Sequence, residues 1–534
     1  MINGWLRDLN LGAPAAPVVT DVCVLGAGPV GLTLARALAQ RGQRVVVLEM
    51  GGSNARAPGD SDEPAFDRRS YRGATNGRAF GLGGTSTLWG GQLLPMLPND
   101  LHARAAINTP EWPIDYAEIA PYFERLQHWL DISPSAFELN SLRDRSHALL
   151  GLTYSDWAPR LSKWIAFGKR NLAAAWRGDF GEFPRQQLWV NARTRDWRFA
   201  GPPGKRAVEE LSAYSPSGLL LRVQPKTLVI AAGALESARI VSELSAGAGH
   251  LSVGVDELNG RFLHDHFSLR LAQVRIVDKA RFRQLFAPVF EGPTMRSLRM
   301  ELSPDVLQAT GLPSLYAHFV SEAGERSGFA IARDFLRAVQ QRSVRGAMRA
   351  TLRVPHAVPD IARLVYERIA QRRLAYSADA NLFLHVDFAQ TPRRENRVYD
   401  SKPRLNGRSE LHIDWDLDSD IPRIAGCARR LFEQFWESNG LQQVATLDFA
   451  DPGADPQGWT SNVYDIYHPA GTTRMAVDGA QGVVDANLKI HGTANIHVVG
   501  ASVFPSMGAA NPTFTAMALA LRLADFIDPI KRCA

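Results

Sequence analysis

Three glycines near residue 28 have the spacing of a loop that binds a nucleotide diphosphate. They lie in Gly26-Ala-Gly28-Pro-Val-Gly31, between an apolar run that ends at Leu25 and a helix-like run that stops at Gly42. Gly26 permits a tight turn, Gly28 lets the backbone approach a pyrophosphate, and Gly31 lets helix and strand pack closely. Because the helix N-terminus faces the anion, the segment predicts dinucleotide binding.

An acidic residue follows where a ribose would lie. The run Arg44-Val-Val-Val-Leu-Glu49 predicts a second buried strand that ends in Glu49, close to the spacing of about 20 residues expected for an acid that accepts hydrogen bonds from ribose hydroxyls. The alternative, a glycine-rich turn that binds nothing, does not explain the position of this acid. The motif alone does not distinguish FAD from NAD.

Two further glycine-rich pieces extend this unit. Residues 81–91 read GLGGTSTLWGG, and residues 228–237, LVIAAGALES, read as a strand that runs into a helix through small residues. The second piece therefore belongs to the same layered sheet. Between them, the run IAPYFERLQHWL has helical periodicity and an apolar face that is typical of core.

The region from about 266 to 460 has a different character. Alternating strand-like pieces at 381–388 and 411–417 flank an arginine-rich helical stretch. This pattern predicts an antiparallel sheet capped by helices, an α+β substrate domain.

The most informative motifs are near the C-terminus. They are HPAGTTRM at 468–475, GVVD at 482–485, IHVVGASVFP at 496–505, and NPTFT at 511–515, which opens a helix. In order and spacing they resemble the signature of the glucose-methanol-choline oxidoreductases, and with the earlier pieces they cover most of the chain. The resemblance implies an α/β, Rossmann-like FAD-binding domain formed by 1–265 with 461–534, and an interleaved α+β substrate domain, mainly 266–460.

The resemblance also implies an active-site pair, His468 and Asn511, on the substrate side of the isoalloxazine. An alcohol gives up hydride only when its O–H proton is removed, so the site needs a base with a pKa near neutrality and a neutral donor for the developing alkoxide. The flavin itself accepts the hydride. The alternatives are a loop histidine at 468 and a helix N-cap at Asn511 before Pro512; the cap and the catalytic role are compatible.

Further cofactor contacts follow by similarity, in addition to Gly26, Gly28, Gly31 and Glu49. These contacts are Gly84, Thr85, Ser86, Trp89, Ala232, Gly233, Gly500, Ala501, Asn511, Pro512 and Thr513. Many family members carry an acid where Gly500 stands, which removes one polar contact here. Some sugar-oxidising relatives carry a covalently linked histidine near 88; this sequence has Leu88, and His102 lies beyond the motif, so we predict non-covalent FAD.

The remaining histidines and cysteines indicate structure more than chemistry. His264-Asp-His266 suggests a metal site, but neighbouring strand positions point to alternate faces and no third cluster supplies ligands. We favour a structural or domain-linking role, which agrees with the family's similar piece, seen here as GRFLHDH at 260–266. Cys23, Cys427 and Cys533 are far apart with no CxxC spacing, so we expect reduced thiols and no metal.

An arginine-rich stretch occupies 326–373, with eleven arginines against three acids. It predicts two basic amphipathic helices broken at Pro355 and Pro359. One interpretation, which we favour, is a solvated face whose apolar stripe is buried on the substrate domain. The other is a docking surface for an anionic membrane, a phosphate-bearing substrate or a carrier-linked intermediate.

Composition excludes several classes. A hydrophobic share of 45% and a charged share of 21% over 534 residues are typical of a globular protein. No segment resembles a signal peptide or a spanning helix, so we expect a cytoplasmic enzyme. The charge of +6 comes with no zinc-finger spacing, RNP-type motif or basic tail, which argues against nucleic-acid binding.

The functional hypothesis is oxidation of a secondary alcohol. The piece GTSTLW resembles the carbohydrate-oxidising branches and pyranose oxidases, so the hypothesis takes a sugar or glycoside as substrate, with O2 or another electron acceptor. Three alternatives stay open: a non-sugar alcohol, a flavin-containing lyase or decarboxylase of the same fold, and a structural or nucleic-acid-binding protein with relic motifs.

Overall fold

The computed structural model describes most of the chain. The described residues are 4–59, 64–144, 147–322, 328–341, 344–351, 358–374, 381–403, 409–450, 458–459 and 462–529. Pro355 and Cys533 from the sequence predictions lie outside these ranges.

The strands form two large sheets and one small one. In chain order they are β1 Leu6–Asp8, β2 Val18–Leu25, β3 Val45–Leu48, β4 Ala65–Phe66, β5 Gln92–Leu93, β6 Trp157–Trp164, β7 Gln186–Val190, β8 Arg193–Ala200, β9 Ala207–Tyr214, β10 Leu220–Ile230, β11 His266–Ile276, β12 Val289–Glu291, β13 Thr294–Leu302, β14 Leu315–Glu322, β15 Asn381–Ala389, β16 Arg397–Pro403, β17 Ser409–Asp414, β18 Ala445–Phe449, β19 Val463–Asp465 and β20 Ile496–Val498.

The α-helices connect and cover these sheets. They are α1 Pro29–Gln40, α2 Arg72–Thr75, α3 Tyr116–Trp129, α4 Leu172–Ala175, α5 Arg177–Glu182, α6 Gly233–Ala248, α7 Val253–Leu258, α8 Lys279–Phe286, α9 Pro304–Thr310, α10 Gly328–Gln340, α11 Val344–Thr351, α12 Val358–Ala370, α13 Ile421–Ser438 and α14 Pro512–Ile527.

The first sheet is the predicted nucleotide-binding layer. Its order is β1-β7-β3-β2-β10-β9-β8, and β1 to β10 run parallel along this path. The unit β2-α1-β3 and the passage from β10 into α6 are both where the sequence predicted them. The short strand β20 pairs with β10 in parallel, so residues near 497 complete a sheet that begins near residue 6.

The second sheet is antiparallel, in the order β18-β11-β15-β14-β13-β6-β5, with β12 and β19 added at its sides. One face is apolar: Leu269 pairs with Val386, and Val386 with Ala317, and all three are buried in one core. Helices α8 and α13 contribute Phe282 and Phe432 to that core. The antiparallel sheet capped by helices is confirmed, although β5, β6 and β19 come from outside 266–460.

The strand predicted at 411–417 exists but joins a different sheet. It appears as β17 and pairs with β16 and β4 in a three-stranded sheet. Alternation predicts a strand but does not specify its partner, because the partner is fixed by distant residues.

The described parts of the arginine-rich stretch, 328–341, 344–351 and 358–373, contain three helices, α10, α11 and α12, where two were predicted. Pro359 does not break a helix, because it lies in the first turn of α12, where proline is tolerated. The expectation that the apolar stripe is buried is wrong for α12, where Val365 and Ile369 are 51% and 74% exposed. No helix in the described part of the chain is long and apolar enough to cross a membrane.

Candidate active site

The glycine-rich turn after β2 requires glycine at two positions. Gly26 has φ of 107°, and a Cβ there would lie 2.6 Å from the carbonyl oxygen of Ala231. A Cβ on Gly31 would lie 2.0 Å from the carbonyl oxygen of Gly26. Strand β10, the turn and the start of α1 therefore approach more closely than any side chain allows.

Glu49 ties together the loops around this turn. Its Oε2 accepts from the Ala27 amide at 2.9 Å, and its Oε1 accepts from the amides of Gly51 and Gly81, each at 2.9 Å. Burial raises the pKa of Glu49, and the three amide bonds oppose that effect. A carboxylate has about four acceptor positions, so one is left for a ribose hydroxyl.

The carboxyl ends of β2, β10 and β20 fit an FAD. At Gly28, Gly233 and Gly500, which follow these three strands, a Cβ would meet no atom of the described residues within 4 Å. Because β10 lies between β2 and β20, the three positions are neighbours at one sheet edge, where α/β sheets bind ligands. The Ser502 hydroxyl is buried without a hydrogen-bond partner among the described residues, a vacant donor on this segment.

The GLGGTSTLWGG loop lies against this edge. A Cβ on Gly84 would be 2.8 Å from Cα of Gly28. The Ser86 hydroxyl is already used within the protein, because it donates to the Gly83 carbonyl at 2.6 Å and accepts from the Leu172 amide at 3.2 Å. The Trp89 indole donates to the Arg170 carbonyl at 2.8 Å, which fixes its ring.

Asn511 and His468 lie in contact at the N-terminus of α14. Asn511 is the N-cap residue before Pro512, but its side chain makes no capping hydrogen bond. Instead its Nδ2 lies 3.3 Å from Nε2 of His468. The structure therefore brings together the two residues that the sequence predicted as a pair, 43 positions apart.

His266 fixes the tautomer of His468. The Nε2 of His266 lies 2.7 Å from the carbonyl oxygen of Gly508, so this nitrogen carries the proton and donates. Nδ1 of neutral His266 is then an acceptor, and Nδ1 of His468, 3.0 Å away, must donate to it. His468 consequently presents an unprotonated Nε2, which accepts from the Asn511 amide.

Arg299 fixes the orientation of Asn511. Its Nη2 donates to Oδ1 of Asn511 at 2.5 Å and to Oε1 of Gln92 at 2.7 Å. Because Oδ1 of Asn511 faces Arg299, its Nδ2 must face His468. Arg299 is only 3% exposed and lies over the Tyr316 ring at 3.9 Å. It forms no ion pair with the described residues, and its Nε has no hydrogen-bond partner among them.

These surroundings keep both histidines neutral. Burial lowers the pKa of His468 well below its usual value, and His266 and the Arg299 charge lower it further. Burial likewise lowers the pKa of His266 to about 4. A histidine that is neutral at pH 7 can accept a proton.

Asp265 joins the two histidine segments through their backbones. Its carboxylate accepts from the amide of His468 at 2.8 Å and from the amide of His266 at 2.6 Å, and Tyr71 donates to it. The neighbouring His264 ring packs on Gly471, where a Cβ would lie 2.4 Å from Cε1 of His264. The His264-Asp-His266 piece therefore links the sheet to the 468–475 loop, and the described residues contain no cluster that could hold a metal.

The face of the second sheet opposite its core is polar. Asp387 on β15 pairs in register with Ser268 on β11 and Tyr316 on β14, and the next alternate pair is His385 with His318. Tyr316 donates to Asp387, and His318 Nε2 lies 3.2 Å from it. Burial opposes ionisation, but His318 and the hydrogen bonds outweigh it and hold the pKa of Asp387 below its usual range.

This polar face carries unused hydrogen-bonding groups. Oδ1 of Asp387 and Nε2 of His385 are buried without hydrogen-bond partners among the described residues. They share the sheet face with His266 and Arg299, which contact the His468–Asn511 pair. Buried orphan polar atoms are rare in proteins, and a polar ligand would satisfy these two.

Two residues at the site were not found by sequence reasoning. The sequence predicted a structural role for His266. A signal for a role in the site was present, because alternation along a strand places the side chains of His264 and His266 on one face of the sheet. Arg299 belongs to no motif, and no sequence signal singles it out. Cys23 and Cys427 are free, as expected, and Cys23 lies buried in β2.

Comparisons with known proteins identify regions similar to flavin-dependent oxidoreductases. The model described as GMC oxidoreductase matches residues 392–520, and the model described as FAD dependent oxidoreductase matches residues 21–61. The 6'''-hydroxyparomomycin C oxidase of Streptomyces lividus is 23% identical over 97% of this chain and 92% of its own. The fructose dehydrogenase large subunit of Gluconobacter japonicus is 21% identical over 95% of this chain and 97% of its own.

Other similarities are more local or concern the fold. The glucose oxidase-like protein fsoC of Humicola fuscoatra is 34% identical over 107 residues, only 19% of this chain and 18% of that protein. Among solved structures, pyridoxine 4-oxidase from Mesorbium loti superposes with a TM-score of 0.58 at 20% identity over 95% of this chain and 99% of that one. The chain therefore contains a GMC oxidoreductase region at 392–520 and an FAD dependent oxidoreductase region at 21–61, and it is similar over nearly its whole length to FAD-dependent GMC oxidoreductases.

Proposed function

We propose that this protein oxidises an alcohol to a carbonyl compound, with His468 as the base. The observation that carries the proposal is the fixed tautomer of His468, whose Nε2 is unprotonated and faces Asn511. Removal of an alcohol proton requires a base that is unprotonated at the working pH, and the alcohol O–H would replace the Asn511 amide as the donor to Nε2 of His468. Asn511, oriented by Arg299, donates to the oxygen on which negative charge develops.

The residues at the sheet edge would hold the FAD. Glu49 would accept from the ribose, the amides at the start of α1 would meet the pyrophosphate, and Thr85, Trp89, Ala232, Gly500, Ala501, Pro512 and Thr513 would lie along the rest. When bound, FAD supplies the acceptor of the hydride. Leu88, which occupies the place of the covalently linked histidine in some relatives, offers no nucleophile, so we propose non-covalent binding.

We propose a polyhydroxylated substrate, a sugar or glycoside that reacts at a secondary hydroxyl. Support comes from the polar sheet face, where Asp387 and His385 have unsatisfied groups close to the catalytic pair. An alkyl alcohol would leave these groups unpaired, at a cost of about 1–3 kcal/mol each. Two relatives that align over nearly the whole chain are named for a sugar and an aminoglycoside.

The test is an anaerobic flavin titration. Purified, FAD-loaded protein is mixed with sugars, glycosides and simple alcohols one at a time, and bleaching of the flavin absorbance is followed. We expect at least one polyhydroxylated compound to bleach the wild type, and His468→Ala to react about 100-fold to 10,000-fold more slowly. The control is His102→Ala, because that side chain is 65% exposed and pairs only with Glu111.

Other outcomes distinguish the alternatives. Bleaching by simple alcohols alone would exclude the sugar assignment and retain the reaction. Bound FAD that no alcohol bleaches would favour a lyase or decarboxylase of the same fold. Reoxidation of the bleached protein by O2, compared with artificial acceptors, then separates an oxidase from a dehydrogenase.

A further inference from the structure

Helix α10 is attached to the loop predicted to contact the flavin. The Gln340 side chain at its C-terminal end is 6% exposed and donates to the carbonyls of Ser86 and Trp89, at 3.0 and 3.1 Å. The Asn171 side chain donates to the Gln340 carbonyl at 3.1 Å. Helices α11 and α12, which pack on α10, are therefore held at a defined place on the protein.

The polarity of α12 is reversed relative to an ordinary surface helix. Val358, Val365, Tyr366 and Ile369 recur at helical spacing and are 53%, 51%, 62% and 74% exposed. Among the described side chains of α12, Glu367 is the buried one, at 3% exposed. Its carboxylate pairs with Arg283 at 3.3 Å and with Arg363 at 3.1 Å. The helix thus buries an acid and presents its apolar side to solvent.

Helix α11, which also packs on α10, exposes apolar side chains as well. Val344 and Met348, one turn apart, are 74% and 64% exposed. We call the six side chains on the two helices the apolar face: Val344, Met348, Val358, Val365, Tyr366 and Ile369. Solitary exposed apolar residues are ordinary, but six of them on two helices that both pack on α10 mark an interaction surface.

Positive charge surrounds the apolar face. Residues 344–374 contain seven arginines against two acids. Arg345 and Arg349 on α11 and Arg363 and Arg372 on or beside α12 are exposed. Glu367, one of the two acids, is buried and pairs with Arg283 and Arg363, so it offsets the charge of Arg363 but not that of Arg345 or Arg349.

We propose that the apolar face docks the protein on an anionic lipid bilayer. A basic helix with an apolar side lies in the interfacial plane, where its side chains insert among the acyl chains while its arginines meet lipid phosphates. A second copy of this chain fits less well, because a two-fold contact would set the same arginines against each other. The attachment is peripheral, since no described helix could span the bilayer.

The test is sedimentation with vesicles. FAD-loaded wild type is mixed with vesicles of phosphatidylglycerol and phosphatidylcholine, or of phosphatidylcholine alone, and the bound fraction is measured. We expect binding to the anionic vesicles to be at least about tenfold stronger, and to fall at 1 M salt, where the screening length is about 3 Å. Equal binding to both vesicle types, or none to either, would overturn the proposal.

Two variants separate the apolar and charged contributions. Val365→Ser with Ile369→Ser removes the inserting side chains, and Arg345→Gln with Arg349→Gln removes charge; each pair should reduce binding at least about tenfold. The matched control is Val253→Ser with Val477→Ser, which are 77% and 83% exposed outside the apolar face. Retained flavin absorbance in each variant shows that the fold is intact, whatever substrate the active site takes.

The same variants test the protein-partner alternative. If wild type ignores anionic vesicles but sediments as a dimer that Val365→Ser with Ile369→Ser dissociates, the apolar face is a contact between subunits and the lipid proposal is wrong. If the variants bind vesicles as strongly as wild type, the lipid contact lies elsewhere and the proposal is also wrong.

Discussion

The Nδ1 atoms of His266 and His468 lie 3.0 Å apart, and only one of them can carry the proton between them. The Gly508 carbonyl decides which, because it takes the only N–H of neutral His266. This hydrogen-bond chain directs the lone pair on Nε2 of His468 towards Asn511. A carboxylate in place of His266 would also hold the ring, but would raise the pKa of the base.

Replacing His266 should impair the chemical step more than binding. His266→Ala removes the acceptor at Nδ1 and lets His468 adopt the other tautomer, so we expect kcat to fall about 10-fold to 100-fold with a smaller change in KM. His266→Asn keeps an acceptor near the Nδ1 position and should recover part of the loss. Histidine ¹⁵N spectra report the tautomer directly, and an unchanged His468 tautomer in His266→Ala would refute this role.

The acid limb of the pH profile should respond to Arg299. Catalysis requires neutral His468, whose pKa is lowered, so kcat/KM of the wild type should decline only as the pH falls below about 6.5. Arg299→Gln removes a charge that lowers this pKa, so the limb should move to higher pH. Arg299→Lys keeps the charge but loses the fork that holds Asn511, so it should lower kcat with little movement of the limb. If kcat/KM declines at the same pH in wild type, Arg299→Gln and Arg299→Lys, the Arg299 charge does not affect the pKa of His468.

Gly28 should tolerate a side chain for folding but not for cofactor binding. Its φ is −79°, and a Cβ there meets nothing within 4 Å among the described residues. Gly28→Val should therefore fold, yet contain little FAD, since the side chain occupies the path of the pyrophosphate. Flavin absorbance per protein and the melting temperature check this. Gly178→Val, at an exposed position with equal space, should keep its FAD.

Gly471 should not tolerate alanine. Its φ is 84°, and a Cβ would lie 2.4 Å from His264, so Gly471→Ala combines backbone strain with overpacking. We expect a loss of about 2–4 kcal/mol in the free energy of unfolding, measured by urea denaturation. Adding His264→Ala removes the clash with the ring but not the one with the Phe262 carbonyl oxygen at 2.5 Å, so it should recover part of the loss. A double variant as unstable as the sum of both single changes would exclude the contact with His264.

The sequence was most informative where chemistry depends on local spacing. The turn at Gly26 and the acid at Glu49 follow from glycine conformation and strand length, and the structure has both where they were expected. The pair of His468 and Asn511 came from the resemblance of whole motifs.

Long-range contacts were not accessible in this way. Arg299 and Asn511 are 212 positions apart in the sequence, and His266 and His468 are 202 apart. No local sequence pattern predicts contacts between residues so far apart. Helix α12 shows a second reason why part of the structure could not be predicted from the sequence. Periodicity gave its apolar stripe, but the direction of the stripe depends on Glu367 finding Arg283 on another element.

Pairing of β20 with β10 has a consequence for biosynthesis. Strands β2, β3 and β10 of the nucleotide-binding layer are made well before β20, yet the layer is complete only when residues 496–498 pair with Leu228, Val229 and Ile230. At about 5–20 residues per second, the early strands wait on the order of tens of seconds with an unpaired edge. The unpaired edge is open to aggregation during that interval, and the part of the sheet edge that includes Gly500 forms only after residues 496–500 have been made.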